Sequence, residues 1–173
     1  MEGHGTTSHS GRGHSALGGI VAGMIGGIAI ALFLIIGNLA SGRSVWQGLK
    51  GAGTPFLHER AAQPGFDLVA VVVGVLSHFA VSIVWGVLFA LVFYGLSRGA
   101  TMVAGVFWGI VVWLGMFYVV LPLVGMGQVA QTVPVGVAVF EHVLFGVALA
   151  LGFLPFQEPR HGRARGGRHP VFT

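Results

Sequence analysis

Four long stretches of this chain are almost free of charged residues, and they constrain its fold more than any other feature. They cover about residues 16–40, 68–96, 101–126 and 134–156. An apolar stretch of about 18 residues or more is long enough to cross the hydrocarbon core of a bilayer as an α-helix. The sequence therefore predicts an all-α integral membrane protein, a four-helix bundle whose domain covers residues 16–156.

The composition agrees with a membrane protein and excludes several kinds of site. Charged residues make up 8% of the chain, whereas soluble domains contain about 25%, and the mean hydropathy is +0.85. The sequence has no cysteine, which excludes disulfides, thiolate metal sites, iron–sulfur clusters and c-type haem. It also has no nucleophile–base motif, phosphate-binding loop or HExxH zinc motif. No catalytic residue is therefore predicted, and an enzymatic activity has no positive support.

The two ends of the chain differ in composition from the apolar stretches. Residues 1–15 are rich in Gly, Ser and His, which predicts a disordered tail. Residues 157–173 form a basic tail with four arginines. Beside a membrane helix, such a tail is expected to bind anionic lipid headgroups, at about 1 kcal/mol per basic residue, and not nucleic acid.

The basic residues also predict the orientation of the bundle. With four spans, both termini and the turn at residues 97–100 share one side, which has six arginines, whereas the opposite side has three basic residues. Because basic residues favour the cytoplasmic side, we expect both termini in the cytoplasm. In the loop over residues 42–66, Val45, Trp46 and Leu49 indicate a short segment at the membrane interface.

Small residues recur at every fourth position in the predicted helices and so form stripes, because residues four apart share one helix face. Such small-xxx-small stripes allow helices to approach closely in lipid. The protein is therefore expected to be either free-standing or an accessory subunit of a larger membrane complex. The hypothesis of a homo-oligomer or a larger complex rests on these stripes, because they exceed the obvious needs of one four-helix bundle. The glycines assigned to helix packing are Gly19, Gly23, Gly27, Gly74, Gly86, Gly105, Gly109 and Gly146.

A histidine interrupts the small-residue stripe in both the second and the fourth predicted helix. His78 lies four residues before Ser82, and His142 lies four residues before Gly146. This similarity indicates two parallel helical hairpins related by a pseudo-two-fold axis along the membrane normal. From the rise of 1.5 Å per residue, we expect the two imidazoles at similar depth in the outer half of the bundle, turned toward each other.

Glu141 lies next to His142 and gives the fourth span an ionisable pair. Ionisable residues are costly inside spans and therefore mark candidate functional sites, so we assign His78, Ser82, Glu141 and His142 to one intramembrane polar site. One interpretation is structural, with each histidine hydrogen-bonded to a neighbouring helix. A second is a proton- or pH-responsive site formed by His78, Glu141 and His142, since histidine titrates near neutrality. A third is ligation of haem b or a metal ion by His78 and His142.

Three segments of the chain occur in an order that is typical of a known group. They are LSHFAVSIVWGVLFAL at residues 76–91, WGIVVWLGMFYVVLPLVGM at residues 108–126 and FEHVLFGVALAL at residues 140–151. This order resembles the YagU-like group of uncharacterised bacterial four-helix inner-membrane proteins, and the resemblance covers roughly residues 68–151. It implies the topology of that group and the importance of His78 and His142, and it implies no chemical activity.

Overall fold

The fold of residues 8–157, which the computed structural model describes, is helical in all of its regular elements. Four segments are long and apolar enough to cross a membrane: Ser15–Ala40, Leu68–Phe93, Arg98–Leu123 and Val135–Phe156. The predicted all-α, four-helix class is therefore confirmed, and the chain is a multi-pass membrane protein.

The helices follow one another in a simple order. The first span lies in α1 (Ser8–Ala40), and the loop after it contains α2 (Val45–Gly51), α3 (Thr54–Leu57) and α4 (Glu59–Ala62). The second span is α5 (Leu68–Phe93). The third consists of α6 (Arg98–Gly115), a π-helical turn (Met116–Val120) and α7 (Leu121–Leu123). After α8 (Gly127–Thr132), the fourth span is α9 (Val135–Phe153), which continues into a 3₁₀ turn (Leu154–Phe156).

Local sequence signals determine where the second and third spans begin and end. α5 begins after Asp67, whose carboxylate accepts a hydrogen bond from a backbone N–H in the first turn of the helix. It ends at Phe93, earlier than the predicted residue 96, because Gly95 turns the chain with φ +86°. α6 begins after Ser97, whose hydroxyl caps the new helix in the same way.

The predicted N-terminal tail is partly helical. α1 begins at Ser8 and not at residue 16, so residues 8–15 extend the first span as a helix. Once a long helix has been nucleated, each added residue gains a backbone hydrogen bond at little further cost. Residues 1–7 and most of the basic C-terminal tail, residues 158–173 with their four arginines, lie outside the described part of the chain.

Gln157 belongs to the folded domain and not to the tail to which the sequence assigned it. Its side-chain oxygen accepts a hydrogen bond from Gly95 N–H at 2.7 Å. Its amide nitrogen donates to Phe93 O and to Thr101 Oγ1, each at 2.9 Å. The residue is nearly buried, and it fastens the end of the fourth span to the turn between α5 and α6.

The four spans pack in a definite arrangement, in which α1 contacts both α5 and α9, and α9 also contacts α6. We call the end of the bundle with the α5–α6 turn the turn end, and the opposite end, with α2 to α4, the loop end. α5 and α6 have little backbone contact and meet through large aromatic side chains. The ring centroid of Trp108 in α6 lies 5.9 Å from that of Trp85 and 5.7 Å from that of Phe93, both in α5. This aromatic core lies toward the turn end.

Candidate functional site

The hairpin of α1 and α5 is held by direct backbone contact at glycines. A Cβ atom added at Gly86 would overlap the carbonyl oxygen of Gly19 and would lie 2.6 Å from the Cα of Gly23. A Cβ added at Gly23 would lie 2.5 Å from the carbonyl oxygen of Ser82. The three glycines thus lie where the two helices approach most closely, and a larger residue has no space there.

The hairpin of α6 and α9 is built in the same way. A Cβ added at Gly146 would overlap the carbonyl oxygen of Gly105 and would lie 2.8 Å from the nitrogen of Gly109. A Cβ added at Gly109 would overlap the carbonyl oxygen of His142 and would lie 2.8 Å from the Cα of Val143. In each hairpin, one glycine of the second helix therefore packs against two glycines of the first helix.

This shared register corrects the predicted correspondence between the two histidines. In one hairpin the carbonyl of Ser82 faces Gly23, and in the other the carbonyl of His142 faces Gly109. His142 therefore corresponds to Ser82, and His78 lies one helical turn further toward the loop end of its own hairpin. The sequence pattern aligned the histidines because small residues surround both of them, whereas the glycine contacts determine the register.

His78 connects two spans through a single hydrogen bond. Its Nε2 lies 2.9 Å from the carbonyl oxygen of Gly27 in α1. A carbonyl only accepts, so Nε2 carries the proton in this bond. Ser82 Oγ donates to the carbonyl of His78 at 2.8 Å and also lies against Gly27, 2.9 Å from where its Cβ would be. This geometry supports the structural interpretation for His78 and Ser82.

His142 has a different environment, inside the α6–α9 hairpin. Its side chain is 8% exposed, and its Nδ1 lies 2.7 Å from the carbonyl oxygen of Ala138, one turn back in the same helix. Nδ1 therefore donates, and Nε2 is the nitrogen that this bond leaves for proton exchange. The ring of Phe117 meets the imidazole edge-on, with the centroids 5.7 Å apart.

Glu141 forms a buried pair with this histidine. Its Oε1 lies 3.5 Å from His142 Nδ1, and its side chain is 14% exposed. On either side of it along α9, Phe140 contacts Phe33 of α1 and Phe145 lies against Gly26 of α1. Glu141 is therefore at the level of the same α1 segment to which His78 is bonded.

The two histidines bond to different partners in the structure. His78 is bonded to α1, whereas His142 is bonded within α9 and contacts the π-helical turn that follows α6. The polar site predicted from four residues is thus divided into two parts. Glu141 and His142 form one, and His78 and Ser82 form the other.

The π-helical turn beside His142 was not predicted from the sequence. The N–H of Leu121 bonds to the carbonyl of Met116, five residues back. Pro122 follows immediately, and its ring excludes the carbonyl four residues before it, so the helix widens where a regular turn cannot form. Pro122 is the signal in the sequence that could have indicated this irregular turn. Such π-turns occur frequently at functional sites.

The pair has no charged neighbour on the helices packed against it. Within Ser15–Ala40, α1 has no Asp, Glu, Lys, Arg or His, and α6 has only Arg98, at its first residue. The π-helical turn contributes Tyr118, which is 67% exposed. Glu141 and His142 therefore depend on each other for any ionic stabilisation within the described spans.

The predicted haem or metal ligation does not fit these donors. His78 Nε2, the usual nitrogen for an axial haem bond, is occupied by the carbonyl of Gly27, and His142 faces another helix. Among residues 8–157, no group of three or more His, Cys, Asp or Glu side chains is placed to hold a metal ion.

Comparisons of the chain with models of protein families, with curated proteins and with solved structures found no match. The candidate site is therefore defined by its own geometry. It consists of a carboxylate and an imidazole that are nearly buried in a span, next to an irregular turn of the neighbouring span.

Proposed function

We propose that this chain is a non-enzymatic protein of the bacterial inner membrane, with cytoplasmic termini, in which Glu141 and His142 form a proton-responsive centre. The observation that carries the proposal is the 3.5 Å separation between Glu141 Oε1 and His142 Nδ1, with both side chains nearly buried inside a membrane span. A stable charge is costly at such a depth, so the pair is favoured in states without net charge.

Two such states exist for this pair. In one, a protonated carboxyl lies beside a neutral imidazole, and in the other a carboxylate lies beside an imidazolium. A third state with an added proton has a net positive charge, and a fourth with a lost proton has a net negative charge. Because the groups interact closely, they titrate as a unit and not as separate residues. Uptake or release of one proton therefore changes the net charge of the α6–α9 hairpin.

The π-helical turn and α1 both contact the pair and could respond to a change in its net charge. His142 touches Phe117 in the π-helical turn, and Glu141 lies between two contacts with α1. The π-turn departs from α-helical hydrogen bonding, and turns of this kind are frequent at functional sites. We infer that protonation acts on the packing of this turn.

The packing of the glycines bears on whether the protein assembles with partners. The small-residue stripes are filled by contacts within the bundle, so they no longer favour an oligomer or an accessory subunit. A free-standing protein, with its basic tail on anionic lipid, is the simplest form consistent with this packing. The resemblance to the YagU-like group supports the same inner-membrane topology.

Difference infrared spectroscopy of the protein in lipid nanodiscs tests the proposal directly. Between acidic and neutral pH, we expect a band from a protonated carboxyl group that is lost in Glu141→Gln and altered in His142→Gln. Glu59→Gln is the matched control, because Glu59 is exposed in α4 and should leave the band unchanged. A band that persists in Glu141→Gln would contradict the proposal. An absorbance spectrum of the same sample with a haem Soret band would favour the redox alternative.

A further inference from the structure

The chain turns back along α1 after leaving it. Gly42, with φ +66°, reverses the direction after Ala40. α2 then packs against the last turns of α1, where a Cβ added at Gly48 would lie 2.8 Å from Asn38 Nδ2 and 3.7 Å from Leu34 Cβ. The direction of α2 is therefore back toward the middle of the bundle.

The opposite side of α2 meets α5 in close contact. A Cβ added at Gly74 would overlap the carbonyl oxygen of Leu49 and would lie 2.9 Å from the Cα of Lys50. A Cβ added at Gly53 would lie 3.1 Å from the nitrogen of Gly74. The sequence assigned Gly74 to packing between spans, but its partner is this short helix. Gly74 is six residues after Leu68, the start of α5, which places the contact about 9 Å below the start of that helix.

The lipid-facing surfaces of the neighbouring spans extend beyond this contact toward the loop end. Leu39 in α1 is 62% exposed, and Leu68 in α5 is 63% exposed. These large apolar side chains are the kind of surface that lipid covers in a membrane protein. The end of α2 lies deeper in the bundle than both of them.

Lys50 shows how a cation is accommodated at this depth. The residue is 0% exposed. Its ammonium donates to the carbonyl of Gln63 and, at 3.0 Å, to the carbonyl of Gly65. Both acceptors belong to the linker that leads back to α5, so the side chain extends from a deep backbone position toward the loop end, as lysines do near membrane interfaces. It also satisfies backbone carbonyls, which helps irregular backbone to remain inside the protein.

We propose that residues 45–57 form a re-entrant segment, which enters the leaflet on the loop side and presents Phe56 to lipid acyl chains. Phe56 follows the deepest contact of this segment and is 68% exposed. The segment is continuous with the lipid-facing surfaces of α1 and α5, so acyl chains are the partner that covers it. Because Gly74 lies one turn before His78, the segment also closes the loop end of the α1–α5 interface above that histidine.

Spin labels at single cysteines test this depth, since the natural chain has no cysteine and each substitution introduces one label. In nanodiscs, a label at Phe56→Cys should be more accessible to oxygen than to a water-soluble nickel complex. Val72→Cys is the membrane reference, because Val72 is 45% exposed on α5 near the same level. Glu59→Cys is the aqueous reference. A Phe56 label that behaves like the one at Glu59 would overturn the proposal.

A second position and an anchor variant complete the test. Gly51 has nothing within 4 Å of an added Cβ, so a label at Gly51→Cys reports depth even if Phe56→Cys does not fold. Lys50→Met removes the ammonium while keeping a side chain of similar length. If Lys50 anchors the segment, this substitution should shift the label toward nickel accessibility, and an unchanged accessibility would refute the anchoring role.

Discussion

The two hairpins of this bundle share one glycine register and differ in the polar groups placed on it. In both, a glycine of the second helix lies against two glycines of the first, at Gly86 and at Gly146. In the α1–α5 hairpin, the polar residue near this contact is His78, which is hydrogen-bonded to Gly27 of the neighbouring span. In the α6–α9 hairpin this position belongs to a pair of ionisable groups, Glu141 and His142, which have only each other as charged partners within the described spans. The histidine of the α1–α5 hairpin is therefore hydrogen-bonded across the interface, whereas the α6–α9 hairpin contains two ionisable side chains next to each other.

The difference extends to the loop end of each hairpin. The α1–α5 hairpin is covered by α2, which fills the space beside Gly74. α9 begins after Pro134 without a side-chain cap, and the span opposite it is interrupted by the π-helical turn. Stable packing thus coincides with the histidine that is hydrogen-bonded to the neighbouring span. Irregular backbone coincides with the pair that we propose to be functional.

The largest expected effect tests whether the two hairpins are equivalent in packing. Gly86→Ala and Gly146→Ala each place a methyl group against a backbone carbonyl that no rotamer change can move. Each should lower the free energy of unfolding by about 3 kcal/mol or more, the upper range for overpacking. Unfolding in mixed detergent micelles measures this loss.

The matched control for these glycines is Gly136→Ala in the first turn of α9, where an added Cβ meets nothing within 4 Å. It should be neutral or stabilising, by up to about 1 kcal/mol, because alanine favours helix. If Gly86→Ala were severe and Gly146→Ala as mild as this control, the two interfaces would not be equivalent.

The class of this fold and the glycine-bearing helix faces could be predicted from the sequence, because both depend on local composition and spacing. Long apolar stretches leave only helices as membrane-spanning elements, and a four-residue spacing identifies a helix face whatever lies opposite. The register between helices could not be obtained in this way. It depends on which carbonyl each glycine meets, and the pattern around His78 and His142 suggested an equivalence that the contacts at Gly23 and Gly109 do not support.

The candidate site was predictable only in part for a similar reason. Glu141 and His142 are neighbours in sequence and stand out in an apolar span. The role of Gln157 depends on a turn more than 50 residues earlier in the chain, and the deep position of α2 depends on Gly74. Tertiary contacts of this kind leave no periodic pattern that a single sequence can reveal.

A smaller effect should separate the two histidines. His78→Leu removes one hydrogen bond between helices, and we expect a loss of about 0.6 kcal/mol, which is typical of such bonds in membranes. The dependence of stability on pH near neutrality should persist in this variant and should be lost in His142→Leu. Unfolding in micelles across that pH range measures both quantities.

Ser77→Ala is the control for this comparison, because Ser77 Oγ donates only to Val73 O within its own helix at 2.7 Å, so no bond between helices is lost. Equal pH dependence in His78→Leu and His142→Leu would remove the functional distinction between the two hairpins.

The smallest expected effect concerns the start of α5, where only the α1–α5 hairpin has a charged cap. Asp67 caps the helix and pairs with Arg60, whose Nε lies 2.7 Å from Oδ2. The bond from Arg60 lowers the pKa of Asp67 from 3.8 to about 2. A carboxylate with a lowered pKa stabilises the folded state above its unfolded value and loses this contribution as the pH falls through the folded value.

The contribution of Asp67 should therefore be complete above about pH 4 and should disappear as the pH falls toward about 2. Asp67→Asn should remove this acid-dependent step from unfolding curves measured between pH 5 and pH 2, and added salt should weaken the step in the natural chain because the pair is solvent-exposed. α9 has no such cap, so the acid sensitivity belongs to one hairpin alone. An Asp67→Asn variant with an unchanged acid profile would show that the cap does not couple α5 to pH. The comparison between the hairpins would then rest on Glu141 and His142 alone.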